Sequence, residues 1–372
     1  MAFPCQARQV NRLVMANNLR SAPLSSTAAL TLRPLGQGEE RLWDAFVDTR
    51  SDASLYHRSP WRKLIHDLFG HETLYLYAVN AAGDWVGILP VVRLRSRLFG
   101  DYMVSMPYVN YGGALGLTAE IEAALMQEAG QSGQTAGVSH IEFRDSVGRA
   151  GAWKVRTDKV VMELTLPATH DELWNGFNPK LRAQIRRPQR EQTEVIHGGA
   201  ELLSQFYGVF ARNMRDLGTP VYGQAFFAAI MAAFPASAHI VIVRHGQQPV
   251  AAAFLLGHRD RMEIPWASSL REYNQLGVNM LLYWEALQRA IAGGYKTFDF
   301  GRSSIDSGTY RFKKQWGAQP RQLYWHYWLA PGQDLPELTP SSPKYQLAIR
   351  AWKRLPLFLA NRLGPHIVKN LP

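Results

Sequence analysis

A chain of 372 residues is longer than one hydrophobic core usually serves, so two lobes are expected. Its 47% hydrophobic and 19% charged residues exclude a wholly disordered chain, and no apolar run reaches the roughly 18 residues of a membrane-spanning helix. The single cysteine, Cys5, excludes an internal disulfide and a cysteine-built zinc site and fits a reducing, cytoplasmic setting, while 41 Lys and Arg against 30 Asp and Glu, a net +11, favour anionic partners such as nucleic acid, phosphorylated substrates or an anionic membrane face.

Residues 1–28 have basic residues but no continuous apolar run, and are expected to be a flexible leader, with Met15 as an alternative start. Ala29–Pro34 then predicts a strand and Glu39–Val47 a helix. Leu74–Val79 and Trp85–Leu94 predict a hairpin across the turn residues Asn80–Asp84. Tyr102–Val109 predicts a third strand, followed by a Tyr111-Gly112-Gly113 loop. Thr118 opens a helix to about Ala129, and Ser139–Phe143 is the next strand.

The second half repeats this order. His239–Val243 and Pro249–Leu256 predict a hairpin, and Arg261–Ala267 pairs next. Val278–Ala292 is a helix with Met280, Trp284, Leu287 and Ile291 on one face and Gly293-Gly294 as its stop, followed by a strand at Thr297–Phe300. The segments Gly137–Phe143 and Gly294–Phe300 share a helix exit, a strand and one acid, Glu142 and Asp299, at the same place. Tandem lobes follow, each a mixed, mainly antiparallel sheet flanked by helices, an α/β (α+β) class, at residues 29–165 and 166–335. Between them Asn178 caps and Pro179 begins a basic helix. Arg182, Arg186 and Arg190 share its face until Pro188 disturbs it.

Several chemistries are absent from the sequence. It has no His-Glu-x-x-His, no phosphate-binding Gly-x-x-x-x-Gly-Lys-Ser/Thr loop and no Gly-x-Ser-x-Gly elbow, and no metal site is expected. The histidines are scattered. The informative region is Phe298–Gly317, where a buried strand enters a loop rich in Gly and Ser and then an aromatic, basic segment. Backbone N–H groups freed by Gly301 and Gly308 suit an anion that Arg302 and Lys313 could neutralise.

Asp299-Phe300-Gly301, a loop, and then Gly308 and Phe312-Lys313 up to Trp316-Gly317 resemble the C-terminal signature of the Fem family of peptidyltransferases. Ser59-Pro60-Trp61, Phe69-Gly70 and the basic helix agree, and the resemblance spans about residues 29–330. Tyr108–Gly113, Arg212–Pro220 and Trp266–Ser269 are similar to the Fem-like subfamily associated with exosortase, PEP-CTERM and exopolysaccharide systems. The resemblance implies tandem lobes of the GNAT acetyltransferase fold and transfer of an acyl or aminoacyl group to an amine of a cell-envelope precursor. It implies that Lys313 binds phosphate or the developing oxyanion. It also implies a donor, aminoacyl-tRNA or acyl-CoA, that visits rather than a permanently bound cofactor. The acetyl-CoA signature of ordinary GNAT enzymes is missing; Asn274–Asn279 stands in its place, and no heptad-rich arm is present.

The expected site lies where the central strands of the second lobe splay. Lys313 is the expected cation, and Glu263 or Asp299 the candidate base, each equally able to be a structural acid beside an arginine. Arg302, Ser303, Tyr222, Tyr273, Tyr310, Trp266 and Asn274 are the candidate substrate contacts, and Gly277, Val278 and Asn279 the candidate donor contacts. A CoA-dependent acyltransferase and a catalytically silent binder of a glycan or lipid-linked precursor are the alternatives. The tail from 336 to 372 interleaves Arg350, Lys353, Arg354 and Arg362 with apolar residues. It is expected either to rest on the inner membrane face or to pack back on the protein.

Overall fold

Among the described residues fifteen strands form two sheets. The first takes β1 (Thr31–Pro34), β2 (Glu72–Val79), β3 (Trp85–Ser96), β4 (Gly100–Val104), β5 (Leu115–Gly116), β6 (His140–Asp145) and β7 (Lys154–Arg156). The second takes β8 (Lys159–Thr165), β9 (Thr193–Gly198), β10 (Ala238–His245), β11 (Gln248–His258), β12 (Arg261–Ser269), β13 (Thr297–Ser304) and β14 (Gln319–Gln322). The last strand, β15 (Tyr324–Leu329), returns to the first sheet, between β6 and β7. The structure, a computed structural model, describes residues 30–151, 153–336 and 343–371; the expected leader with Cys5, and Pro340 in the tail, lie outside them.

The strand orders are β1-β2-β3-β4-β6-β15-β7, with β5 on β3, and β14-β8-β13-β12-β11-β10-β9. Among the described residues only β4–β6 and β12–β13 are parallel pairs. The first hairpin is held by Asn80, whose Oδ1 accepts from the N–H groups of Ala82 at 3.0 Å and Asp84 at 2.9 Å, the local bonding that makes Asn a turn residue. The sheet boundary departs from the expected lobe boundary at residue 165. Here β8 leaves the first lobe to pair with β13, and β15 crosses back to pair with β6. Each sheet is therefore completed by a strand from beyond that boundary.

Helices follow from capping and from apolar faces. In chain order they are α1 (Glu40–Thr49), α2 (Pro60–Phe69), α3 (Ala119–Ala136), α4 (His170–Gly176), α5 (Pro179–Gln189), α6 (Leu203–Leu217), α7 (Gln224–Ala233), α8 (Val278–Ala292), α9 (Gly308–Lys314), α10 (Pro343–Lys353) and α11 (Leu357–Val368). The side chain of Thr118 caps α3, which runs on past the expected Ala129 to the left-handed Gly137. Asn178 Oδ1 accepts from Leu181 N at 2.9 Å to cap α5, and Pro188 falls in its last turn, where the helix is already ending.

Three apolar clusters hold the layers. The largest joins both lobes, packing Trp43, Trp61 and Tyr75 of the first half with Phe206, Phe227 and Trp266 of the second. The outer face of the first sheet packs on α3 through Ile141, Leu125 and Met126. That of the second packs on α8 through Phe298, Leu282 and Leu287. The expected strand Tyr102–Val109 stops at Val104, because Met106 (φ 67) and Tyr108 (φ 72) take left-handed backbone that ends the ladder.

Candidate active site

The parallel pair β12–β13 opens like a V. Its register runs Arg261↔Thr297, Met262↔Phe298 and Glu263↔Asp299. Beyond that, β12 stays with β11 as far as Ser269, while β13 rejoins β8 at Arg302↔Val161 after an irregular step. The first lobe repeats the device, its parallel pair ending at Val104↔Glu142. Glu263 and Asp299 thus stand at the vertex, and Glu163 lies beside Asp299 on the next strand.

These three acids are treated differently. Arg321 reaches Glu163 Oε1 through Nε at 2.9 Å and Nη2 at 2.7 Å, and Arg261 bonds the same oxygen. Burial works against its charge, yet the two guanidinium groups outweigh it and hold Glu163 below the usual carboxylate range. Glu263 is buried and accepts from Tyr56 Oη at 2.6 Å and Asn110 Nδ2 at 3.2 Å. Burial, and then the charge of Asp299, push its pKa up to about 8. Asp299, fully buried, accepts from Tyr111 Oη at 2.5 Å and Gly301 N at 2.7 Å, with Arg261 at 3.4 Å; burial still raises its pKa. Two adjacent buried carboxyls cannot both ionise cheaply, so the pair holds a proton that a single exposed acid would release.

Tyr56, Asn110 and Tyr111 belong to the first lobe and were not singled out as site residues by sequence. They lie 153 to 207 residues from the acids they hold, and no local pattern reports such a contact. Tyr111 and Asn110 could have been suspected only as part of the Tyr108–Gly113 segment that carries the family resemblance.

Lys313 sits on the short helix α9, into which the aromatic, basic segment after the loop is folded. Ser307 Oγ caps this helix by accepting from Tyr310 N at 3.1 Å. Lys313 is buried at 7% exposure, and its Nζ donates to the carbonyls of Gly301 and Arg302, both at 2.9 Å. Burial lowers its pKa to about 8, against the pull of Asp299 and Glu263. Gly301 takes φ +75, a left-handed value that favours glycine, and joins the acid to the cation: its N–H bonds Asp299 and its carbonyl accepts from Lys313. Arg302 is exposed and rests its guanidinium 4.7 Å from the centre of the Trp325 ring, which Arg144 approaches at the same distance. It makes no ion pair with another described residue.

The other expected residues divide. Ser303 is buried with its hydroxyl unpaired. Tyr222 is half-buried at the lobe junction, its ring 5.7 Å from Tyr108 and 6.4 Å from Trp266, and burial raises its pKa to about 12. Trp266 is a core residue, packed at 5.1 Å on Phe227 and 5.7 Å on Phe254. Tyr310 is buried in the core of the second lobe. Tyr273 gives its hydroxyl to Gln248 at 2.9 Å, and Asn274 accepts from Ser269 at 3.2 Å. Gly277, Val278 and Asn279 begin α8, where α5 lies close: a Cβ on Gly277 would stand 3.5 Å from Gln184 O. A cavity of about 380 Å³ reaches Glu263 from the side where β12 and β13 begin, lined by Tyr56, His57, Arg261 and Thr297 but not by Arg302 or Lys313.

Residues 179–314 match the family profile described as an acetyltransferase (GNAT) domain. Among solved structures, FemX is 15% identical over 86% of this chain and 100% of its own, with a TM-score of 0.58. A tandem GNAT protein from the clavulanic acid biosynthesis pathway is 11% identical over 83% of this chain and 100% of its own, with a TM-score of 0.53. The fold is that of tandem GNAT proteins. L-PGS from Bacillus licheniformis shares it at 13% identity, 85% and 97% coverage, and a TM-score of 0.52. No curated protein matches the chain by sequence. The GNAT-like β12–β13 splay is where the second lobe gathers Glu263, Asp299 and Lys313, whereas the expected contacts Tyr273, Tyr310 and Trp266 have structural partners of their own.

Proposed function

We propose that the chain is an N-acyl- or aminoacyltransferase that acylates an amine of a cell-envelope or exopolysaccharide precursor at the β12–β13 splay. The observation that carries this reading is the buried Glu263–Asp299 pair at the vertex, linked through Gly301 to the Lys313 ammonium. An attacking amine must lose a proton, and a carboxyl with a pKa near 8 is matched to take it near neutral pH. As the amine adds to the acyl carbon, negative charge grows on the carbonyl oxygen. Lys313 spends two N–H groups on the strand and has a third for that oxygen, a donor of the kind worth roughly 3–4 kcal/mol in the transition state. Collapse then breaks the acyl–sulfur or acyl–oxygen bond, and the departing thiolate or tRNA alkoxide takes up the proton that Glu263 removed from the amine.

Arg302, lacking an ion-pair partner, suits a phosphate or carboxylate of the precursor. The donor itself carries phosphate, as aminoacyl-tRNA or acyl-CoA, and the arginine row of α5 beside the start of α8 suits either. The test is release of free coenzyme A or deacylated tRNA when the protein meets each donor with amino-sugar nucleotide acceptors. Turnover with one donor, lost in Glu263→Gln, supports the reading. Binding of precursors without turnover of any donor overturns it in favour of a silent binder.

A further inference from the structure

We infer that α10 and α11 form a lipid-facing surface that seats the protein on an anionic membrane. From Pro343 to Leu371 the chain has Lys344, Arg350, Lys353, Arg354, Arg362 and Lys369 and no Asp or Glu. Both helices pack on α6, so they share one side of the molecule. The body holds them through buried Ala360 and Val368 on the inner side of α11 and through backbone carbonyls at their ends. Arg215 Nη1 donates to Leu355 O at 2.9 Å, Tyr108 Oη to Lys369 O at 2.7 Å and Tyr102 Oη to Asn370 O at 2.9 Å. Gly364 and Val221 approach so closely that a Cβ on the glycine would stand 2.8 Å from Val221 N.

That mode of docking leaves side chains over. Leu347 and Arg350 lie at helical spacing on the outer face of α10, with Arg354 in the turn just after it, and Phe358 and Arg362 lie at helical spacing on α11. Leu347 is 69% exposed, Phe358 70% and Leu363 46%, values that cost free energy in water. Arg350, Arg354 and Arg362 are exposed as well, and the described ion pairs include none of them. Apolar side chains interleaved with unpaired cations and no acid match a bilayer surface: the apolar groups enter the acyl boundary while the cations meet anionic headgroups. No helix among the described residues is long and apolar enough to cross a membrane, so the contact is peripheral. Of the two expected arrangements, the tail's described helices pack back on the protein and present the surface from there. The inference does not depend on the reaction proposed above.

Co-sedimentation of the full chain with vesicles tests it, comparing phosphatidylglycerol mixed into phosphatidylcholine with phosphatidylcholine alone. The expected result is binding to the anionic vesicles only, weakening as salt rises. The triple variant Arg350→Glu, Arg354→Glu, Arg362→Glu should bind at least about a hundredfold more weakly, roughly fivefold for each cation lost. Leu347→Ser with Phe358→Ser should also weaken binding, with thermal unfolding unchanged in both variants. Equal sedimentation with the two vesicle types overturns the inference, and this comparison stands even where a variant fails to fold. So does a lipid-free dimer that Phe358→Ser converts to a monomer, which would assign the face to a second copy of the chain.

Discussion

Glu263 and Asp299 are the last residues at which β12 and β13 face each other, and both are buried there. The strands part at the point where two carboxyls meet. Glu163, one strand further, is held by Arg261 and Arg321, but Glu263 receives only neutral donors, Tyr56 and Asn110. Charge is thus settled at one end of the row and left able to change at the other.

The pH dependence of stability follows from that pair. Glu263 has a folded pKa raised to about 8, so it keeps its proton where the unfolded chain has released one. The stability tied to this proton is full below the ordinary carboxyl pKa of about 4.3 and is lost as pH rises toward about 8. Urea midpoints measured across that window should fall for the wild type. In Glu263→Gln, which cannot ionise, the fall should be shallower; parallel curves would place the titration elsewhere.

In the proposed reaction the same groups act with opposite signs. Base action needs Glu263 ionised, so kcat/KM rises with pH through about 8, and the Lys313 ammonium is lost above about 8. A narrow bell centred near pH 8 is expected. Glu263→Gln should remove the rising limb and lower the rate by about 10²–10⁴. A pH-independent profile for the wild type would remove the acid pair from the mechanism.

Lys313 and Lys314 are neighbours with different surroundings. Lys313 is buried on two carbonyls, whereas Lys314 is exposed and lies 5.8 Å from the centre of the Tyr310 ring. Lys313→Ala leaves the Gly301 and Arg302 carbonyls without their donor, at a cost of about 1–3 kcal/mol, and removes the cation from the site. Lys314→Ala should stay within about 0.5 kcal/mol of the wild type. Denaturation and single-turnover rates on both variants should separate them; equal rates would remove Lys313 from the chemistry.

Arg302→Gln should act on binding. With no carboxylate to lose, its guanidinium contributes little to folding, but a charge-assisted bond to the precursor is worth about 1.5–3 kcal/mol. KM for an anionic acceptor should therefore rise about 10- to 100-fold with kcat nearly unchanged. A loss confined to kcat would instead put Arg302 at the reacting atoms.

The strand exchange predicts that neither half stands alone. A fragment of residues 150–372 keeps β15 but loses its partner β6, together with the first-lobe side of the largest core cluster. It should unfold without a sharp transition, as followed by circular dichroism in urea. A cooperative transition at the full chain's midpoint would show the lobes to be independent.

Local signals in the sequence were sufficient for most elements. Asn178-Pro179 marks the start of α5, Gly293-Gly294 closes α8, and the Asn80–Asp84 turn sets the first hairpin, because caps and turns depend on residues a few positions apart. The repeated strand with its single acid also reveals the tandem lobes and points to Asp299. Three things were decided only by tertiary structure. The exchange of β8 and β15 between sheets is a choice of partner, and the alternation of a strand is the same whichever sheet receives it. The short α9 that turns Lys313 inward begins at Gly308, a residue that suits a loop equally well. The Tyr56, Asn110 and Tyr111 donors to Glu263 and Asp299 come from the other lobe, more than 150 residues away, and a pKa raised by burial exists only once the lobes have closed over the acids.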